Sequence, residues 1–432
     1  MQNVRGITLL PTISKIFTKV LLERIKDQID SNLRQEQAGF RRGRSCCDQI
    51  FVLRNIIEQS IEWQSTLYLN FVDFEKAFDS AHRVSLWKIL RLYGLPTKIT
   101  EIIKALHQGF ECSVIVGNNT TEWFPVTSGL KQGCLMSPLL FLVAIDWIMR
   151  ETTKDESNGI RWKMDTKLDD LDYADDLCLI SPSHQNICNK TEKLHEKAAH
   201  MGLNINLKKT KVMRINARNN NPVKVNTSNL EDVLSFTYLG SIVTTTGGTD
   251  EDITSRINKA RYTFSLLKPV WNSSQLSNNT KLRIFNSNVK SVLLYGSECW
   301  KIIKDLAHKL RVFINRCLRT IYKIRWPRKI SNKALMEKAR QQDIMVEIAK
   351  RKWRWIGHVF RKDQKDITRE AIFWTADGKR KRGRPKMTWR RTAEKELKEH
   401  GLTWRMAEAK ARDRVEWKGC VDALSACWRE ED

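Results

Sequence analysis

The stretch Leu171–Ile180, LDYADDLCLI, sets two adjacent carboxylates, Asp175 and Asp176, between two apolar runs. Apolar residues on either side of a short polar break predict a β-hairpin with the acids at its tip. Neighbouring carboxylates repel each other and Asp is a poor strand former, so the pair is locally costly unless a cation meets it. An acidic surface turn accounts for a lone Asp-Asp equally well. The residues elsewhere in the chain decide between the two readings.

Upstream, FVDFEKAFDS places Asp73 at the end of an apolar strand, Leu67 to Val72. A strand-end Asp opposite a hairpin Asp can share metal ions with it. Two Mg²⁺ ions need several oxygen ligands held close together, and such a pair can activate a hydroxyl while neutralising a leaving pyrophosphate. Taken alone, Asp73 also suits the N-cap of the segment that follows. Between these acids lies SGLKQGCLMSPLLF, in which Gly129, Gly133, Ser137 and Pro138 make a flexible loop running into a helix. A backbone with little side chain can lie against a base or a sugar, although such a loop is also an ordinary turn. After the hairpin, GLNINLKKTKVM offers Lys208, Lys209 and Lys211, on a strand that faces either solvent or phosphate.

The chain has 432 residues, enough for two to four units of ordinary domain size, with 41% hydrophobic and 29% charged residues. That balance is globular. Lys and Arg number 75 against 49 Asp and Glu, a formal charge of +26. A surplus this large disfavours compactness unless a polyanion meets it, and nucleic acid is the obvious partner. The longest apolar run, Leu139 to Ile145, is too short to span a bilayer, and the first residues lack the apolar core of a signal peptide. No membrane partner is expected, and nucleus and cytoplasm are the expected compartments. Ten cysteines without a C-x-x-C pair read as reduced thiols, not as a zinc knuckle or disulfide framework.

Periodicity then predicts the elements. The opening NVRGITLLPTISKIFTKVLLERI reads as a short strand and a helix with Ile13, Ile16, Val20 and Ile25 on one face. AGFRRGRS (Ala38 to Ser45) is a Gly- and Arg-rich turn, followed by an amphipathic helix carrying Ile50, Leu53, Ile57 and Ile61. Helices are expected over Arg83 to Tyr93, around Ile99 to Leu106, from Pro138 to Met149, and up to about Met201. A hairpin is expected about Gly117-Asn118-Asn119, and two short strands around Lys208 to Lys211. From about Asp250 the chain is mainly helical, and beyond Ser331 it is basic and Trp-rich, with 14 Lys or Arg against 4 Asp or Glu in residues 351 to 390.

Taken together and in this order, the pieces resemble the reverse transcriptases of non-LTR (LINE-type) retrotransposons, most closely the RTE-like group. FVDFEKAFD is similar to the family's motif A, SGLKQGCLMSP to motif B, YADD to motif C, GLNINLKKT to motif D and FTYLGSIV to motif E. The resemblance covers roughly residues 3 to 245, and more loosely the remainder, where WRWIGHVFRK and GRPKMTW are like the ends of such elements' proteins. It implies an α+β right-hand polymerase with a helical thumb and a basic, mainly helical C-terminal extension. The expected divisions are partial fingers at 1–66, a palm with an interleaved fingers segment at 67–245, a thumb at 246–330 and the extension at 331–432.

By the same resemblance, Asp73, Asp175 and Asp176 hold two catalytic Mg²⁺ ions, with Mn²⁺ as an alternative, and the backbone carbonyl of Phe74 is a further ligand. Phe78 matches the position that screens the sugar 2′ carbon, where a bulky ring favours deoxynucleotides over ribonucleotides. Gln132 and Gly133 match the loop beside the incoming nucleotide, and Lys209 the lysine that protonates leaving pyrophosphate. Arg5 sits where the family has Arg-Pro-Ile and is expected to clamp the triphosphate, with Gly6 in place of the proline. The partners implied are an RNA template, a DNA primer and deoxynucleoside triphosphates. The chain starts at this very motif and shows nothing like the family's endonuclease, so the expectation is a truncated copy. The alternative is a remnant that binds nucleic acid through its charge without polymerising. In the basic tail, KRKRGRPK resembles an AT-hook, and a nuclear-import signal or a solvated loop fits it as well. Trp353, Trp355, Trp389, Trp404 and Trp417 are candidates either for stacking on unpaired bases or for anchoring helices.

Overall fold

The computed structural model describes residues 7–154, 158–426 and 428. The chain divides into two compact units. One comprises Met1–Gln49, Trp63–Leu239 and Ala376–Lys379, the other Ile50–Glu62, Gly240–Thr375 and Arg380–Asp432.

The first unit is built on a mixed five-stranded sheet. In chain order its strands are β1 (Leu67–Val72), β2 (Asp170–Tyr173), β3 (Asp176–Ser181), β4 (Lys211–Ile215) and β5 (Glu231–Asp232). In space they run β5-β4-β1-β3-β2, antiparallel throughout except for the β4–β5 edge. The central strand β1 is buried along its whole length, as its apolar sequence LYLNFV requires.

Side chains alternate across a strand, and here the alternation sorts β1 cleanly. Tyr68 and Val72 join the core under the helices Arg83–Leu92, Ser137–Thr153 and His184–His200, together with Leu177, Leu179 and Val212. Asn70 on the same face donates to Thr191 of the last of these helices at 2.9 Å. The intervening Phe71 points the other way and stacks on Phe236 with ring centroids 4.2 Å apart. The sheet therefore has a helix-covered face and an opposite face. Residues after β1 continue that alternation.

The second unit is helical. Its core joins the helix Asp250–Leu266, the helix Lys304–Ile321 and the start of Ile344–Phe360. Asp250, Glu251 and Asp252 stand in the first turn of the first of these, where the helix dipole favours negative charge. Asp252 is buried and accepts from Arg54 Nη2 (2.9 Å), Ser241 Oγ (2.9 Å), the Ile242 amide (2.9 Å) and the Trp300 indole (2.9 Å).

Several expectations are corrected. The helix Thr12–Asn32 forms, but it buries Thr18, Leu21, Ile25 and Ile29, leaving Ile13, Ile16 and Val20 exposed. Two overlapping apolar stripes run along it, and the later one carries the core. Residues 7–11 form no strand, and residues 1–6 lie outside the described residues. The helix Cys46–Glu62 is buried on all sides from Ile50 to Ser60, not amphipathic. Three of its polar residues find partners inside the second unit: Arg54 at Asp252, Asn55 at the Ala371 carbonyl, and Glu58 at the Trp389 amide. Around Lys208 to Lys211 there is one strand, β4, preceded by a single bridge at Ile205, in place of two. Among the described residues no helix is long and apolar enough to cross a membrane.

The tail tryptophans are anchors. Trp353, Trp389 and Trp417 are buried and donate their indole N–H groups to Glu396, to the Glu298 carbonyl and to the Trp353 carbonyl. Trp355 packs edge-on to Phe51, and Trp404 to Phe360 and Phe373. Trp353, Trp389 and Trp417, buried in this way, are not available for bases, whereas Trp355 and Trp404 are half-buried.

Candidate active site

The hairpin forms as its sequence predicts. Tyr173 pairs with Asp176 across a two-residue turn, Ala174-Asp175, in which Ala174 takes a left-handed φ of 57°. Val72 of β1 pairs with Leu177 of β3. Carried one residue further, that register sets Asp73 opposite Asp176. Both follow the alternation onto the face away from the helices, the face of Phe71. Asp73, Asp175 and Asp176 thus meet at one end of the sheet, with Asp175 in the turn itself.

Phe74 makes a bridge to Ile205. The flanking hydrogen bonds run from the Glu75 amide to the Asn204 carbonyl (2.8 Å) and from the Asn206 amide to the Asp73 carbonyl (2.8 Å). In an antiparallel pair this pattern turns the N–H and C=O of Phe74 itself away from that strand, toward the β3 side. Three carboxylates and this carbonyl are the hard oxygen donors that Mg²⁺ or Mn²⁺ takes, so the donor set fits such ions in kind. Among the described residues no three His, Cys, Asp or Glu side chains already converge on a single point. Lys209 Nζ stands 3.4 Å from Asp73 Oδ1, a cation beside the first of the acids.

The other expected residues group around a second loop. Phe78 stacks on Phe141, centroids 4.4 Å apart, and its carbonyl accepts from the Leu130 amide at 2.7 Å. The Gly129 amide donates to the Ala81 carbonyl at 2.9 Å. Gln132 accepts at its carbonyl from the Thr8 amide at 2.6 Å. A Cβ on Gly133 would lie 2.5 Å from the Thr8 carbonyl, which is why only glycine stands there. These contacts tie Phe78 to the Gly129–Gly133 loop. Arg5 lies outside the described residues.

Two supports of the hairpin are not evident from the motifs. The first is the segment Glu36–Gly39. Gln37 Oε1 accepts from the amides of both Gly39 (2.8 Å) and Ala174 (2.9 Å), and the Ala38 amide donates to the Asp172 carbonyl (2.9 Å). The second lies on the helix-covered face, where alternation sends Asp170 and Asp172 inward. Arg34 meets Asp170 at 2.9 Å, Asp146 at 3.3 Å, and Asp172. Burial works against the charge on Arg34, but Asp170 and Asp172 hold it well above its usual range. Burial, reinforced by the Asp170 charge, pushes Asp172 well above the usual carboxylate range against the pull of Arg34. Only the second support left a trace in the sequence: acids at alternate positions of an apolar strand, and a lone Asp146 within LLFLVAIDWIM, each need a buried cation.

A sheet whose central strand and adjoining hairpin bring three carboxylates to one end is the palm of a right-hand polymerase. The chain belongs to the reverse transcriptase (RNA-dependent DNA polymerase) family, whose model matches residues 1–243. Its relatives include proteins of non-LTR retrotransposons, and it is a non-LTR-type member. A second match, to a domain of unknown function, covers residues 263–295. A transposon-derived protein of Caenorhabditis elegans is 30% identical over 276 residues, 59% of this chain and 95% of that protein. The Pol polyprotein of the type-2 retrotransposable element R2 of Drosophila melanogaster is 25% identical over 48% of this chain and 19% of its own length. The RNA-directed DNA polymerase of the mobile element jockey, also from Drosophila melanogaster, is 25% identical over 76% of this chain and 36% of its own length. The chain thus spans nearly all of the nematode protein but well under half of either fly protein.

Proposed function

We propose that this chain is an RNA-directed DNA polymerase of the RTE-like group, adding deoxynucleotides to a primer 3′-hydroxyl on an RNA template. The observation that carries the reading is the register that sets Asp73 opposite Asp176, with Asp175 in the adjoining turn, in a chain of the reverse transcriptase family. In this assignment residues 1–66 are fingers, 67–245 palm, 246–330 thumb and 331–432 an extension.

Asp73, Asp175, Asp176 and the Phe74 carbonyl would hold two Mg²⁺ or Mn²⁺ ions. When bound, such ions lower the pKa of the attacking hydroxyl and neutralise charge on the triphosphate. The chain's own residues do the rest. The Phe78 ring, backed by Phe141, excludes a 2′-hydroxyl and so selects deoxynucleotides. Gln132 and Gly133 flank the incoming nucleotide, Arg5 grips its triphosphate, and Lys209 gives a proton to the departing pyrophosphate. The bond formed joins the primer oxygen to the α-phosphorus, and the bond broken releases pyrophosphate.

Primer extension on an RNA template with Mg²⁺, comparing the unmutated chain with Asp175→Asn, tests this. Loss of a charge-stabilising group at a reacting centre is expected to lower the rate at least about a hundred-fold. Failure of the unmutated chain to extend any primer, with its affinity for the template intact, would leave a protein that only binds nucleic acid.

A further inference from the structure

The motif WRWIGHVFRK lies on the helix Ile344–Phe360 and its immediate continuation, and the helical period splits it in two. Trp353, Ile356, Gly357, Val359 and Phe360 are buried. Arg354, His358 and Arg361, at i, i+4 and i+7, share the other face; the first two are exposed and the third is half-buried. Gly357 brings a second helix close. A Cβ there would lie 1.9 Å from Trp417 Nε1, so Arg414–Ala426 packs directly against this turn, and the Trp417 indole donates to the Trp353 carbonyl at 3.0 Å.

The two helices enclose a groove of about 360 Å³ whose floor is Trp417 and Val421. Its walls bring together Arg354, Arg361, Arg414 and Lys418, with His358 beside them. Arg361 donates to the Ala411 carbonyl at 2.8 Å. Asp422, the acid at the groove's edge, is taken up by Lys350 at 3.1 Å. Four cations around one small cavity repel one another, and burial together with the neighbouring Arg414 already lowers the pKa of Arg361. An anion entering the groove removes that repulsion.

We propose that this groove binds the phosphodiester backbone of a nucleic-acid strand. Seven residues of helix span about 10 Å, long enough for the cations to meet more than one phosphate of a strand. The buried Trp417 and Val421 beneath hold the two cationic helix faces side by side. The site lies in the second unit, outside the reverse transcriptase match, and needs no catalysis in the palm.

The test is fluorescence anisotropy of the full chain with a labelled single-stranded RNA and with a DNA of the same sequence, over a range of KCl concentrations. The variant is Arg354→Gln/Arg414→Gln/Lys418→Gln, all exposed positions, with folding checked by circular dichroism. At roughly 0.7 per phosphate contact on a single strand, the slope of log affinity against log salt should fall by about 2. A control triple at exposed lysines outside the groove, Lys309→Gln/Lys395→Gln/Lys398→Gln, should change the slope far less. An equal fall in both triples, or none in the groove triple, overturns the proposal. A fall with both strands assigns the groove to phosphate as such, and a fall with one strand assigns it to that strand. Primer extension run alongside reads the palm separately: no extension together with the slope change sinks the polymerase reading and leaves the groove standing.

Discussion

Gly39 lies so close to Ala174 that a Cβ on the glycine would stand 2.3 Å from the Ala174 backbone nitrogen. Ala174 is the left-handed residue of the acidic turn, and Gln37 bonds the amides of both. Gly39→Ala must therefore displace the turn or the segment that braces it. Overpacking of this kind costs about 1–3 kcal/mol. The expected outcome is a primer-extension rate at least tenfold lower, with a modest fall in melting temperature and unchanged RNA affinity. Extension at the unmutated rate would show that the brace does not position the acids.

Asp172 supplies a pH dependence whose sign can be worked out. Burial and the Asp170 charge keep its proton on in the folded chain well above the usual range, whereas the unfolded chain releases it near 3.8. Above about pH 4 the unfolded state therefore binds fewer protons than the folded one, so stability falls as pH rises and levels off once the folded group also ionises. The slope from this one group is at most about 1.4 kcal/mol per pH unit. Asp172→Asn cannot titrate, and its amide can donate to Asp170 where the proton did. Urea denaturation across this range should give a flatter pH profile for the variant than for the unmutated chain. Parallel profiles would place the proton elsewhere in the cluster.

What was legible in the sequence was whatever a short pattern determines. The apolar run before Asp73 and the paired runs about Asp175 and Asp176 are period-two signals, and both strands and the turn stand where those signals put them. The cation that the buried Asp170 and Asp172 meet, and the segment that braces the turn, were not legible for the same physical reason. Arg34 meets Asp146, Asp170 and Asp172 only after more than a hundred residues of chain have folded between them, and no local period encodes that meeting. The misjudged face of Thr12–Asn32 shows the limit from the other side: Ile13, Ile16 and Val20 have the right spacing, but the core is made elsewhere on the helix. The spacing of Ile50, Leu53, Ile57 and Ile61 predicts an amphipathic Cys46–Glu62 helix, but Arg54, Asn55 and Glu58 between them each find a buried partner.

Lys209 and Asp73 allow a catalytic role to be separated from a structural one. Their side chains are 58% and 39% exposed, and an ion pair so open to water contributes no more than about 1 kcal/mol. Lys209→Gln should therefore leave the melting temperature nearly unchanged. If Lys209 protonates the leaving pyrophosphate, the turnover rate falls by roughly 10²-fold, with little change in the KM for the nucleotide. A variant that loses stability and keeps its turnover would return Lys209 to a structural role.

In the second unit the decisive group is Asp252. Four donors converge on its buried carboxylate, one of them the guanidinium of Arg54, whose side chain is 9% exposed. Removing the acid leaves that cation without its counterion, together with the unmatched N–H of Trp300 and amide of Ile242. Breaking a buried pair in this way costs about 3–5 kcal/mol, more than the pair itself contributes, because the desolvated charge remains. Asp252→Ala is therefore expected to unfold at a markedly lower urea concentration. Asp252→Ala combined with Arg54→Leu removes the stranded charge as well and should recover part of the loss. A double variant no more stable than the single one would show that the other three donors, and not the arginine, set the cost.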